Sequence, residues 1–360
     1  MNKILDDIRK AFVCRWKVFV ISFGLVFLMV ALPMAGLKLP KLVSPVPAKA
    51  DAFDKIQPKL EQKDNNFQIK KQGSLITRTY AAGDFDNAPS YAVMDFNTGE
   101  ILAQKNLDLH LPIASLTKIM TAVVALDLVS PDDLFTVSDK AAAIEPTRMG
   151  VLSGQKMTLE ELLNGALLTS ANDAAEVIAE GVDQKYGDSV FVKAMNAKSK
   201  FLGLKDTYFT NPQGFDDQNP YSSSGDLAVL AHYALTNYPL ITEIVKKDYQ
   251  FLPANENHKQ FDLYNWNGLI GTYPGTMGIK IGNTDAAGYT TAVLSDRINP
   301  QTNQDSKIMV VLLGAPGVLQ RDMWAGELLD SGFGQQGFDP VNLTEQQLKD
   351  KYSSWQYWGG

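Results

Sequence analysis

Residues 91–129 read YAVMDFNTGEILAQKNLDLHLPIASLTKIMTAVVALDLV. Tyr91 to Phe96 and Ile101 to Gln104 are short apolar and β-branched runs, and Asn97-Thr-Gly-Glu between them carries the glycine of a tight turn, which predicts a β-hairpin. Pro112 then opens a long run, Ile113 to Val129, rich in Ala, Leu, Ile and Met. Proline suits the first position of a helix, and an apolar surface on most sides predicts a helix buried in a core.

Working outward, Thr158-x-x-Glu161 has capping-box spacing, and Leu159, Leu162, Leu163, Ala166 and Leu167 follow at helical intervals. A further helix is predicted from Asp173 to Val182, which leaves Ser170-Ala171-Asn172 in the tight connection between two helices. Ser223-x-x-Asp226 begins another. Near the end, Met277 to Gly282, Tyr289 to Leu294 and Lys307 to Gly314 read as three strands separated by turns rich in Gly and Asp. With the opening hairpin they make five strands. The fold class expected is α+β: a five-stranded, mainly antiparallel sheet flanked by helices, with a helical insert between the second and third strands.

The 360 residues are 45% hydrophobic and 20% charged, as in ordinary globular chains. A net charge of -7 argues against a nucleic-acid partner, which would require a Lys/Arg surplus on some face. The single cysteine, Cys14, precedes the first apolar segment, so thiol catalysis and internal disulfides are excluded for the rest of the chain. His110, His232 and His258 fall in no zinc-binding spacing. No metal and no cofactor are expected.

Residues 18–37, VFVISFGLVFLMVALPMAGL, contain no charge and are long enough for a transmembrane helix. Lys3, Arg9, Lys10, Arg15 and Lys17 outnumber Asp6 and Asp7 before it, so the expectation is a single-pass membrane protein with residues 1–17 cytoplasmic and the remainder exported. Residues 38–84 lack periodicity and are expected to form a flexible tether. The catalytic domain is expected over 85–335 and a tail over 336–360.

The chemistry concentrates at Ser115-Leu-Thr-Lys118. Residues three apart share a helical face, so a hydroxyl and an amine can meet there. A serine needs a neighbouring base to act as a nucleophile, and a lysine serves once burial or another cation lowers its pKa. Ser170-Ala-Asn172 and Lys280-Ile-Gly282 follow in an order and spacing that no single motif would specify. With Pro112 to Thr121, Leu168 to Ala174, Thr210-Asn-Pro212 with Gly214, Gly278, Thr284, Gly288-Tyr289 and Leu313-Gly-Ala315, the sequence resembles the low-molecular-mass penicillin-binding proteins, the serine D-Ala-D-Ala carboxypeptidases, over residues 85–335.

The resemblance implies a penicillin-binding protein or serine β-lactamase-like fold, and an acyl-enzyme route in which Ser115 attacks the penultimate D-alanine carbonyl. Lys118 would remove its proton, Ser170 would relay a proton to the leaving amine, and Asn172 would orient Lys118. Lys280, Gly282, Asn283 and Thr284 would line the substrate side, Lys280 attracting the terminal carboxylate and keeping Lys118 partly neutral. The backbone N–H groups of Ser115 and Asn283 would form an oxyanion hole. Expected partners are peptidoglycan stem peptides ending in D-Ala-D-Ala, β-lactam antibiotics and a membrane reached through the N-terminal helix.

One position departs from the family pattern, because Ile281 stands where a hydroxyl residue is usual. A β-lactamase is disfavoured by the lack of a Glu-x-x-x-Asn segment between Asn172 and Lys280. Endopeptidase and transpeptidase activity would use the same residues, and a non-catalytic wall-binding protein is the alternative from another class.

Overall fold

The computed structural model describes residues 52–70, 84–217, 219–299 and 301–355. The strands are β1 (Ser90–Asp95), β2 (Ile101–Lys105), β3 (Leu134–Thr136), β4 (Lys156–Thr158), β5 (Tyr249–Leu252), β6 (Phe261–Tyr264), β7 (Thr276–Thr284), β8 (Gly288–Ile298) and β9 (Asp305–Ala315). The helices are α1 (Gln57–Leu60), α2 (Thr117–Leu128), α3 (Asp139–Ala142), α4 (Leu159–Leu168), α5 (Asn172–Tyr186), α6 (Val190–Phe201), α7 (Ser224–Asn237), α8 (Pro239–Val245), α9 (Val318–Gln335) and α10 (Glu345–Ser353).

The five expected strands form one sheet in the order β2-β1-β9-β8-β7, and every neighbouring pair is antiparallel. The last strand in sequence thus lies in the middle, between the opening hairpin and the β7–β8 pair. Alternate side chains of β9 enter different cores: Met309, Val311 and Leu313 pack with the helical insert, whereas Ile308, Val310 and Leu312 pack under α9. This is the period-2 geometry of a strand covered on both faces, and it explains the continuous apolar run in β9.

Within the insert α2 is central, with Ile119, Met120, Val123 and Val124 fully buried. The predicted capping box is present at α4, where Thr158 Oγ1 accepts from Glu161 N and Glu161 Oε2 accepts from Thr158 N. Ser223 likewise caps α7 by accepting from Asp226 N at 3.2 Å. Two small pairings, β3 with β4 and β5 with β6, were not anticipated. Strands of three and four residues are too short for alternation to stand out.

Two expectations require correction. Over 52–60 the chain expected to be tether is ordered and packed: Ile56 and Leu60 are buried in the helical core, and Lys198 Nζ donates to the carbonyl of Leu60. Lys198 is anchored in turn by Asp127 at 2.9 Å and the Tyr233 hydroxyl at 2.8 Å. A few well-spaced apolar residues suffice to dock a segment whose composition looks like coil. The second correction concerns localisation as a single-pass membrane protein. Among the described residues no helix is long and apolar enough to cross a membrane, and the expected span at 18–37 lies outside the described residues.

Candidate active site

The cleft lies where the insert meets the edge strand β7. Ser115 sits in a single 3₁₀ turn, Ala114–Leu116, immediately before α2, so Lys118 projects from the first turn of the helix back toward it. Lys118 Nζ is 2.8 Å from Ser115 Oγ, 2.6 Å from Asn172 Oδ1 and 2.7 Å from the Gln213 carbonyl oxygen. The amine is fully buried. Burial lowers its pKa to about 7, against an opposing pull from the Asp173 carboxylate.

Three acceptors around one nitrogen match the three protons of an ammonium. When that nitrogen loses a proton, Asn172 and Gln213 can retain the two remaining N–H groups, and the lone pair is left facing Ser115. The arrangement therefore suits a base as well as a cation. Asn172 is itself held, its amide donating to the Pro146 carbonyl and its backbone N–H to Thr147 O at 2.8 Å. Next in sequence, Asp173 accepts from the backbone N–H groups of Met149 (3.0 Å), Gly150 (2.8 Å) and Val151 (3.2 Å), fixing the loop that borders the cleft. Gln213 is fixed by its amide donating to Glu176.

Ser170 occupies the connection between α4 and α5 with φ +62°. A left-handed conformation at a non-glycine residue costs roughly 1–2 kcal/mol, offset here by neighbouring bonds such as Ala171 N to Gly165 O at 3.1 Å. It lines the cleft together with Ser115, Asn172, Gly282, Asn283 and Thr284, around a volume of about 340 Å3.

Two glycines, one on β7 and one in the loop after Pro212, allow close approach of backbone to the turn that carries the serine. A Cβ at Gly282 would lie 2.8 Å from the Ser115 backbone nitrogen, and a Cβ at Gly214, whose φ is +92°, would lie 1.9 Å from the Ala114 carbonyl oxygen. Only glycine lets both backbones sit this near the nucleophile.

Of the eight candidate site residues, six line the cleft and two, Lys118 and Lys280, are buried behind its wall. Lys280 is 2% exposed and its Nζ donates to the Ile281 carbonyl at 2.8 Å. Burial first, then the charges of Lys118 and Arg321, hold its pKa well below the usual lysine range. The lowered pKa of Lys118 comes from its own burial, a different cause from the Lys280 charge expected from sequence. Thr284 has its hydroxyl committed to Asp216 Oδ1 at 2.9 Å. Ile281 lines the cleft and its side chain has no polar group to offer.

Sequence reasoning did not single out Gln213, Phe215, Asp216 or Trp266, all of which line the cleft. Gln213 lay within a recognised landmark, between Pro212 and Gly214, but acts through its backbone carbonyl, which no residue type signals. Trp266 carries no periodic signal.

The site thus sets a serine hydroxyl against a buried lysine amine, between a helical insert and an antiparallel sheet. The family model described as D-alanyl-D-alanine carboxypeptidase, of peptidase family S11, matches residues 78–317, and the chain belongs to that family. It is 33% identical over 272 residues to the D-alanyl-D-alanine carboxypeptidase DacF of Bacillus subtilis, covering 73% of this chain and 67% of that protein. The crystal structure of the D-alanyl-D-alanine carboxypeptidase DacD from Francisella tularensis superposes with a TM-score of 0.63 at 25% identity, over 74% of this chain and 76% of that one. Penicillin-binding protein D2 from Listeria monocytogenes, in its ampicillin-bound form, superposes with a TM-score of 0.57 at 27% identity, over 68% and 97% of the two chains.

Proposed function

We propose that this chain is a serine D,D-carboxypeptidase that removes the terminal D-alanine from peptidoglycan stem peptides and is acylated by β-lactams, with its catalytic domain over residues 85–335. The observation that carries the reading is the Lys118 amine, buried, with a pKa near 7 and 2.8 Å from the Ser115 hydroxyl. An amine of that pKa is available in neutral form at neutral pH, which is the condition for general-base activation of a serine.

In this reading Ser115 Oγ bonds to the carbonyl carbon of the penultimate D-alanine as its proton passes to Lys118. The carbon–nitrogen bond breaks, and Ser170 hands the proton to the departing amine of the terminal D-alanine. Water then hydrolyses the ester and frees Ser115. The backbone N–H groups of Ser115 and Asn283 receive the oxyanion; the contact distance at Gly282 supports this by bringing β7 against the Ser115 nitrogen. Asn172 orients Lys118, Gly282 and Thr284 shape the substrate side, and Lys280 lies buried below the cleft floor. The ampicillin-bound relative supports the β-lactam part of the reading.

The test is release of D-alanine from a stem pentapeptide by the purified chain. Wild type should release it and Ser115→Ala should not. Equal release by the two proteins removes Ser115 as the nucleophile.

A further inference from the structure

A groove of about 480 Å3 adjoins the catalytic cleft. The two share Trp266 and meet along two chain segments: Thr147 lines the cleft and Arg148 the groove, while Ser170 lines the cleft and Thr169 the groove. Every residue from Lys259 to Tyr264 lines the groove. Successive side chains of a strand point to opposite faces, so a groove that meets them all runs along the edge of β6. The other edge is paired with β5, and among the described residues no strand pairs with this one. Such an edge presents a row of backbone N–H and C=O groups.

Rings face the same space. Tyr264 and Trp266 are partly exposed, and Trp355 adds a third ring. The Tyr249 ring, 4.9 Å away across the β5–β6 pair, steadies that of Tyr264. The facing wall belongs to the loop of Arg148 to Val151, which is held by Asp173 through its backbone N–H groups. Lys259 reaches toward that loop, its ammonium lying 3.6 Å from where a Cβ on Gly150 would be. Arg148 pairs with Glu145 at 2.6 Å and keeps further N–H donors.

This combination suits an N-acetylated sugar chain. A pyranose ring offers C–H faces to aromatic rings, whose bodies are apolar and whose rims are polar. Its acetamido group is a secondary amide, with the same donor and acceptor as a peptide unit, and so matches a strand edge. A bare peptide strand would use the edge and leave the rings idle. Position points the same way, because a stem peptide hangs from a glycan strand and five residues span at most about 18 Å. With the D-alanine end of the peptide at Ser115, the sugar that bears it must lie close by, and the groove begins at the cleft wall.

We propose that the groove is a glycan-binding site, holding N-acetylated sugars of the strand whose stem peptide occupies the cleft. The inference rests on the peptidoglycan reading above. It makes Tyr264 a specificity-determining residue, one that selects peptides still attached to their glycan over free peptides and takes no part in the chemistry at Ser115.

The test uses the full chain and three probes: a free stem pentapeptide, the same pentapeptide attached to a tetrasaccharide of alternating N-acetylglucosamine and N-acetylmuramic acid, and that tetrasaccharide stripped of peptide. Wild type should release D-alanine from the glycan-linked peptide with a kcat/KM roughly tenfold above that for the free peptide, the gain residing in KM. Tyr264→Ala should erase the gain and leave penicillin acylation and the free-peptide rate unchanged, whereas Tyr264→Phe, which keeps the ring, should retain most of it. Titration of wild type with the bare tetrasaccharide should shift the indole N–H resonances of Trp266 and Trp355. Equal kcat/KM for the two peptides, with no indole shift, overturns the inference while leaving Ser115 as the nucleophile; a groove that serves a partner protein would give that result. A free-peptide rate that falls in Tyr264→Ala as far as the glycan-linked rate does, with acylation intact, also overturns it and gives the groove to the peptide. If neither peptide is cleaved and no penicillin adduct forms, the Ser115 reading fails, and the tetrasaccharide titration still decides the groove by itself.

Discussion

Ile281 is the residue whose identity most distinguishes this site from its family pattern. A hydroxyl there could bond the carboxylate of a substrate or of penicillin, and a hydrogen bond to a charged group is worth roughly 1.5–3 kcal/mol, or about 10- to 150-fold in rate. Thr284 cannot substitute, since its hydroxyl already donates to Asp216. Ile281→Thr should therefore raise the second-order acylation constant for penicillin, and threonine, also β-branched, suits the strand. A constant at or below that of wild type would mean that the carboxylate is bound elsewhere. Lys118 sets the pH dependence. Burial lowers its pKa to about 7, so the neutral amine that accepts the serine proton accumulates as pH rises through that value. Acylation should rise with pH through about 7 and then level. A profile flat across that region would assign the proton to another group. Lys118→Ala should cost ~10²- to 10⁴-fold in acylation, with Lys280→Ala much milder. The Ser115–Lys118 contact was legible in the sequence because residues three apart share a helical face, and the Asn172–Lys118 contact was implied by the family resemblance. The Gln213 contribution was not, because a backbone carbonyl has no residue signature.

At the scale of elements, the position of β7 against the 3₁₀ turn of Ser115 decides whether the nucleophile has room. Gly282→Ala would place a methyl group 2.8 Å from the Ser115 nitrogen and 2.8 Å from Thr290 Oγ1. Neither atom is the end of a long flexible chain, so the strand must move away from the serine. Acylation should fall well below wild type while the far-ultraviolet circular dichroism spectrum remains native. Wild-type acylation by this variant would show that β7 need not lie so close. The five sheet strands and the helices α2, α4, α5 and α7 were readable from periodicity and caps, as with the Thr158 capping box. The β5–β6 pair was not, although it carries Phe261 and Tyr264 into the wall of the groove beside the cleft. Four-residue strands hold too few alternations to rise above chance.

For the whole molecule, the segment at 52–60 belongs to the fold as much as the sheet does. Leu60 is 1% exposed and its carbonyl accepts from the buried Lys198, whose other contacts tie α2, α6 and α7 together. Leu60→Ala should destabilise the protein by about 2–5 kcal/mol, the usual cost of a large-to-small change in a packed core, measured as a fall in the denaturant midpoint. An unchanged midpoint would mean that the segment docks without supporting the core. Composition hid this element because a handful of apolar residues among many polar ones does the docking. The central claim, that Ser115 is the acylated nucleophile, is tested most directly by peptide mapping of the penicillin adduct by mass spectrometry. The account predicts one penicilloyl group, on the peptide that carries Ser115 and on that side chain. An adduct on any other residue, or none under conditions in which the protein is folded, would contradict it.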